Sequence, residues 1–226
     1  MNRRELPTLR STHRATLFAV CVLTTIVSAR ADVFDRPATA AALAAGPLAG
    51  PAKQIADAQV IRGRFLFKRY LADIPKPLES SGDYTLVKGL GIDWHTREPF
   101  DSEAIVTARG VVQIDDGNAS PRVGGDAPAQ QAAIRLLSAL LTLDVETLAT
   151  SFELFGGADG ARWSLGLRPR AQDVQTFVRD ATISGAAQVE TVELHDANGD
   201  RTSIEFHDVA YDASPPSAAE RARFEQ

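Results

Sequence analysis

Pro77–Phe100 reads PLESSGDYTLVKGLGIDWHTREPF, and its interpretation governs that of the whole chain. Asp83–Val87 and Gly91–Thr96 have the aromatic and β-branched content of strands, and they flank a turn at Lys88–Gly91. The small residues Ser80, Ser81 and Gly82 are expected to break the chain before the first run, and Arg97–Pro99 to stop the second. The stretch therefore predicts a strand–turn–strand unit.

Working outward, Val60–Leu71 (VIRGRFLFKRYL) is the first strand expected ahead of this unit. Ile61, Gly63, Phe65 and Phe67 fall on one face and Arg62, Arg64 and Lys68 on the other, the pattern of a half-buried sheet. Earlier still, Asp35-Arg36-Pro37 is expected to start a helix that Gly46 ends. Gly50-Pro51 should interrupt before another turn or two over Ala52–Ala58. After the unit, Ala104–Ala108 and Val111–Ile114 read as a strand pair around Gly110, and Asp115–Pro128 as a loop. Asp126 should cap a helix running to about Thr142, with Ile134, Leu137 and Leu141 as one stripe. Asp144 is placed to cap a shorter helix over Val145–Ala149. Strands return with Phe152–Phe155 and Arg162–Leu167, where Trp163, Leu165 and Leu167 share a face, and with Ala181–Ser184; Ala171–Phe177 suggests one helical turn. The last hairpin, Gln188–His195 with Thr202–Val209, turns at Ala197-Asn198-Gly199, which sets Val192 opposite Ile204. Ser217 and Glu220 have the spacing of a capping box for a final helix.

Composition narrows the function classes. The chain has 226 residues, long enough for one domain with a sizeable core, and a net charge of −5. Residues 1–31 hold five arginines and one glutamate, leaving 19 basic and 28 acidic side chains and a net charge of −9 beyond them. Such a surface repels phosphate backbones, so no nucleic-acid partner is expected. Arg3, Arg4, Arg10 and Arg14 precede the apolar run Ala15–Val27, and Ala29-Arg30-Ala31 has the form of an export cleavage site. Thirteen helical residues rise only about 20 Å, short of the ~30 Å of a hydrocarbon core. The expectation is a secretory signal peptide over 1–31, cut before Asp32, and a soluble, monomeric periplasmic domain over 32–226. The sole cysteine, Cys21, leaves with the signal, and Phe18-Ala19-Val20 before it is not a lipobox.

The ordered set of Phe65 in the first strand, S-S-G-D-Y at Ser80–Tyr84, Trp94, Pro99-Phe100 and the late G-D-R-T-S-I-E-F at Gly199–Phe206 resembles the LolA-like periplasmic lipoprotein carriers. The resemblance covers about Gln59 to Phe224. It implies an α+β fold, mainly antiparallel β: a strongly curved incomplete β-barrel closed by a helical lid, with an apolar cavity for acyl chains on the concave side. It places Phe65, Phe67, Trp94, Trp163, Leu165 and Leu167 on that concave side, with Ile134, Leu137 and Leu141 above them as the lid. Members of the family shuttle lipoproteins from an inner-membrane transporter to an outer-membrane acceptor, holding the lid with an arginine before the hairpin turn. Here the aligned residue is Lys88, a point charge without the planar fork, followed by Gly89.

Catalytic chemistry finds little support in the residues. His95, His195 and His207 lie in no metal-ligand spacing, and Ser80-Ser81-Gly82 is not a nucleophile elbow. The register Val192–Ile204 is expected to bring His195 and His207 close together, with Asp196 and Asp200 nearby. No cofactor, metal or catalytic residue is expected. The leading expectation is a non-enzymatic carrier of lipoprotein acyl chains or another lipidic cargo. A sensing or adaptor domain of the same fold, and an enzyme acting on a lipid-like substrate, remain as alternatives.

Overall fold

The computed structural model describes residues 32–115, 118–120 and 139–225. The expected signal peptide, most of the 115–128 loop and the lid positions Ile134 and Leu137 lie outside them.

Eleven antiparallel strands form one sheet: β1 (Val60–Tyr70), β2 (Leu78–Val87), β3 (Gly91–Glu98), β4 (Ser102–Thr107), β5 (Gly110–Asp115), β6 (Asn118–Ala119), β7 (Phe152–Asp159), β8 (Arg162–Pro169), β9 (Val178–Gly185), β10 (Val189–Asp196) and β11 (Arg201–Asp212). Their order is β6-β5-β4-β3-β2-β1-β11-β10-β9-β8-β7, so every connection but one joins spatial neighbours. β1 pairs with β11, and the edges β6 and β7 do not pair, which leaves a strongly curved sheet that is not a closed barrel. The helices are α1 (Ala40–Ala45), α2 (Ala49–Asp57), α3 (Val145–Ser151), α4 (Gln172–Gln175) and α5 (Ala218–Arg223), with residues 139–142 also helical.

The two faces of the sheet have different cores. On the inner face, Phe65, Tyr84, Trp163, Leu165, Leu167, Ile183 and Phe206 pack beneath Leu43 of α1, Ile55 of α2, Ala139 and Leu148 of α3. On the outer face, Val60, Val87 and Ile105 are covered by Phe224, which follows α5. The alternation in β1 explains the split: Ile61 and Phe65 point in, Val60 and the basic Arg62 and Arg64 point out.

Several local expectations hold. Val192 is opposite Ile204, and Gly199 takes φ 94° in the β10–β11 turn. Asp144 caps α3 by accepting from Thr147 N, and Ser217 with Glu220 forms both bonds of the capping box. Others need correction. Ser80, Ser81 and Gly82 do not break the chain but lie inside β2, which is paired on both sides. The small residue is needed because a Cβ on Gly82 would lie 1.9 Å from the His95 carbonyl oxygen, next to a register shift at Ser81/Gly82. Asp35-Arg36-Pro37 starts no helix: Val33–Asp35 is a 3-10 turn, Pro37 bridges Phe155, and α1 begins after Thr39, whose side chain accepts from Ala42 N. Nor does Gly50-Pro51 interrupt; Pro51 sits in the first turn of α2, where a backbone N–H has no intrahelical partner to lose.

Candidate functional site

The inner face carries the larger of the two apolar clusters among the described residues, with side chains converging from many strands. Its centre is aromatic. Phe65 and Trp94 stack with centroids 3.9 Å apart, and Phe206 meets Tyr84 edge-on at 5.3 Å. Tyr84 lies across Gly63, where any Cβ would be 2.7 Å from its ring, so the glycine on β1 makes room for the tyrosine on β2. Burial pushes the Tyr84 hydroxyl well above the ordinary phenol value, and that of Tyr211 upward too.

The structure brings most of the sequence-expected site residues onto this face. Phe65, Trp163, Leu165 and Leu167 are fully buried in the packed core, while Phe67, Trp94 and Leu141 are half-buried around it. Packing under α1, α2 and α3 makes the first four a floor. The open space lies elsewhere on the same face, toward the β2–β3 turn. There a cleft of about 700 Å³ is lined by Leu86, Leu90, Ile92 and Val106 of the β2–β4 region and by Ile55 of α2, Ala139 and, from α3, Thr147, among others. A smaller void of about 30 Å³, lined by Leu86, Leu141, Val192, Phe206 and Tyr211, lies deeper. Leu86 borders both, as does Ile55. The sequence reading did not single out Leu86, Ile92 or Val106. Their signal was there: Leu86 is opposite Ile92, which is opposite Val106, a cross-strand apolar row in the hairpin's own register.

Lys88 stands at this cleft. Its Nζ donates to the Ala56 carbonyl oxygen at 2.6 Å, and its backbone N donates to Gln59 O at 2.9 Å. The cation thus binds the last turn of α2, where carbonyls lack helical partners and a positive charge is favoured. It does so with a single donor from an exposed side chain. Thr142 and Asp144 face the same cleft from the other wall.

The histidines do not form a site together. His195 pairs with Arg201, six residues along β11 from His207, so the two lie about 20 Å apart rather than close as expected. The Val192–Ile204 register itself separates them, since His195 lies on the turn side of that pair and His207 on the far side. His195 Nδ1 is instead 2.5 Å from Asp180 Oδ1, and His95 Nε2 is 3.1 Å from Asp101. Among the described residues no three His, Cys, Asp or Glu side chains cluster in a way that could hold a metal ion, and no helix is long and apolar enough to cross a membrane.

No protein-family model matches the chain, and no curated protein matches it. Solved structures do. A LolA superfamily protein from Nitrosomonas europaea is 8% identical with a TM-score of 0.42, over 76% of this chain and 94% of that one. A chain of the MucA/MucB complex of Pseudomonas aeruginosa is 16% identical with a TM-score of 0.39, over 79% of this chain and 60% of that one. LprF from Mycobacterium bovis is 12% identical with a TM-score of 0.35, over 80% of this chain and 98% of that one. The chain is similar to a solved LolA superfamily protein.

Proposed function

We propose that this protein carries the acyl chains of lipoproteins, or of another lipidic cargo, in the cleft between β2–β4 and the helices, and shuttles them from inner to outer membrane through the periplasm. One observation carries the reading: an apolar cleft of about 700 Å³ left open on the inner face of an unclosed sheet. That volume is within the ~300–1,000 Å³ of sites that enclose small ligands. Each methylene exposed to water costs about 0.8 kcal/mol, so a fatty chain needs such a shield to cross an aqueous compartment. Lys88 is the cation beside the cleft, placed to hold α2 over the chain. Residues 1–31 act in this reading as the export signal, leaving a chain that starts at Asp32.

The test is mass spectrometry of the protein purified from its native envelope. The expected result is an N-terminus at Asp32 and stoichiometric acylated species in the organic extract that exchange into added membranes. A protein that comes through with no acyl species, and takes none up from lipid, would overturn the reading.

A further inference from the structure

The described residues expose six large apolar side chains: Ile74, Leu78, Leu90, Phe100, Val174 and Phe177. Five of them, all but Leu90, sit at one end of the strands. Ile74 is in the β1–β2 loop and Leu78 opens β2; Phe100 is in the β3–β4 turn; Val174 and Phe177 are in the β8–β9 connection. Phe100 is 80% exposed and Phe177 75%, so these are projecting tips, not the edges of buried clusters.

The loops that carry most of these tips are tied to one another. The Phe177 carbonyl accepts from Ala197 N of the β10–β11 turn at 2.9 Å. Asp200 of that turn accepts from Ala72 N of the β1–β2 loop at 3.0 Å, and Arg69 at the end of β1 pairs with both Asp196 and Asp200. The tips thus stand on three connections at this end: Ile74 and Leu78 at β1–β2, Phe100 at β3–β4, and Val174 and Phe177 at β8–β9. The same loops and strand ends expose charges of both signs, Lys76 and Arg170 beside Asp73, Glu98, Asp101 and Asp173, and Tyr70 is stacked under Arg201 at the same end. Projecting apolar tips among charges of both signs, with a tyrosine at the same end, match a zwitterionic headgroup boundary better than the flat, contiguous patch of a protein interface.

We propose that this end of the protein docks on the surface of a zwitterionic lipid bilayer, inserting Phe100 and Phe177 with Ile74, Leu78 and Val174 around them. The chain beyond residue 31 carries a net charge of −9, so anionic headgroups add nothing to the attraction. This goes beyond the carrier reading, because the cleft lies toward the β2–β3 turn at the opposite end of the strands. Docking and cargo binding are separable.

Flotation of the whole protein with phosphatidylcholine vesicles tests it, in low and high salt, beside the Phe100→Ser, Phe177→Ser and double variants. Both positions are exposed, so the variants should melt as the wild type does. The expected result is salt-insensitive binding that falls about tenfold for each substitution and about a hundredfold for the pair, with acyl-probe binding unchanged. Three results would overturn the proposal: no flotation of the wild type, undiminished flotation of the double variant, or binding that needs phosphatidylglycerol and vanishes in salt. Failure here with acyl-probe binding intact would leave the carrier reading standing.

Discussion

Replacing Leu86 by glutamate puts a carboxylate on the partition between the cleft and the deeper void. Leu86 is half-buried, between Ile61 on β1 and Ile92 on β3. With about half of its three outer carbons turned to the cleft, the lost contact with a bound chain is worth about 1 kcal/mol at ~0.8 kcal/mol per methylene. Covering the new carboxylate with hydrocarbon adds about 1–3 kcal/mol. The sum, about 2–4 kcal/mol, weakens binding roughly 30- to 1,000-fold at pH 8. An apolar setting raises a carboxyl's pKa, so at pH 5 the side chain is largely neutral and the deficit relative to wild type shrinks to about tenfold or less. Leu86→Gln should weaken binding without that recovery. The assay is equilibrium titration with a fluorescent fatty acyl probe, at both pH values, on variants whose circular dichroism matches wild type. Unchanged affinity in a folded Leu86→Glu protein, or the same deficit at both pH values, would refute the reasoning.

Two further outcomes are expected. Arg223, with 40% of its side chain exposed, faces Glu103 and Asp93 behind α5, and Glu103 titrates above the ordinary carboxylate value because burial, with Asp93 adding to it, outweighs the lowering by Arg223. A raised carboxyl binds its proton more tightly in the folded state, so its contribution to stability falls as pH rises from the unfolded value through the folded one. Arg223→Met should extend that loss: little effect near pH 4, and about 2 kcal/mol near pH 7.5, discounted from the ~3–5 of a fully buried pair, or roughly 4–8 °C in Tm. Equal destabilisation at both pH values in thermal melts would contradict it. For Lys88, the single exposed bond to Ala56 O is worth about 0.5–1 kcal/mol, so Lys88→Leu should speed release of a bound probe about two- to fivefold in stopped flow. Lys88→Arg should slow it, and identical rates for all three proteins would remove Lys88 from the mechanism.

Much of the fold was legible because periodicity and caps are local signals. The faces of β1, the Val192–Ile204 register, the Asp144 cap and the Ser217–Glu220 box each need only a few neighbouring residues to specify them. What was misread depends on contacts distant in sequence. Ser80-Ser81-Gly82 has the composition of a break, yet β1 and β3 hold it extended, and Gly82 serves the close approach of the His95 carbonyl. The candidate site divided in the same way. Alternation put Phe65 on one face of its strand and Trp163, Leu165 and Leu167 on one face of theirs, the resemblance set these and Trp94 on the concave side, and all five belong to the inner-face cluster. Alternation does not tell which part of a face the helices cover. Leu43, Leu48 and Leu148 pack in one cluster with Leu165 and Leu167, and that the row Leu86–Ile92–Val106 lines a cleft is apparent only once α2 and α3 are in place.

The central claim is that the cleft at the β2–β3 end holds the acyl chain. A fatty acid bearing a photoreactive diazirine near its tail, crosslinked to the purified protein and mapped by peptide mass spectrometry, addresses it directly. The account predicts saturable labelling of Leu86, Leu90, Ile92 and Val106, competed by unlabelled fatty acid and lost in Leu86→Glu at pH 8. Labelling confined to the Phe100 and Phe177 tips, or labelling that does not saturate, would contradict it.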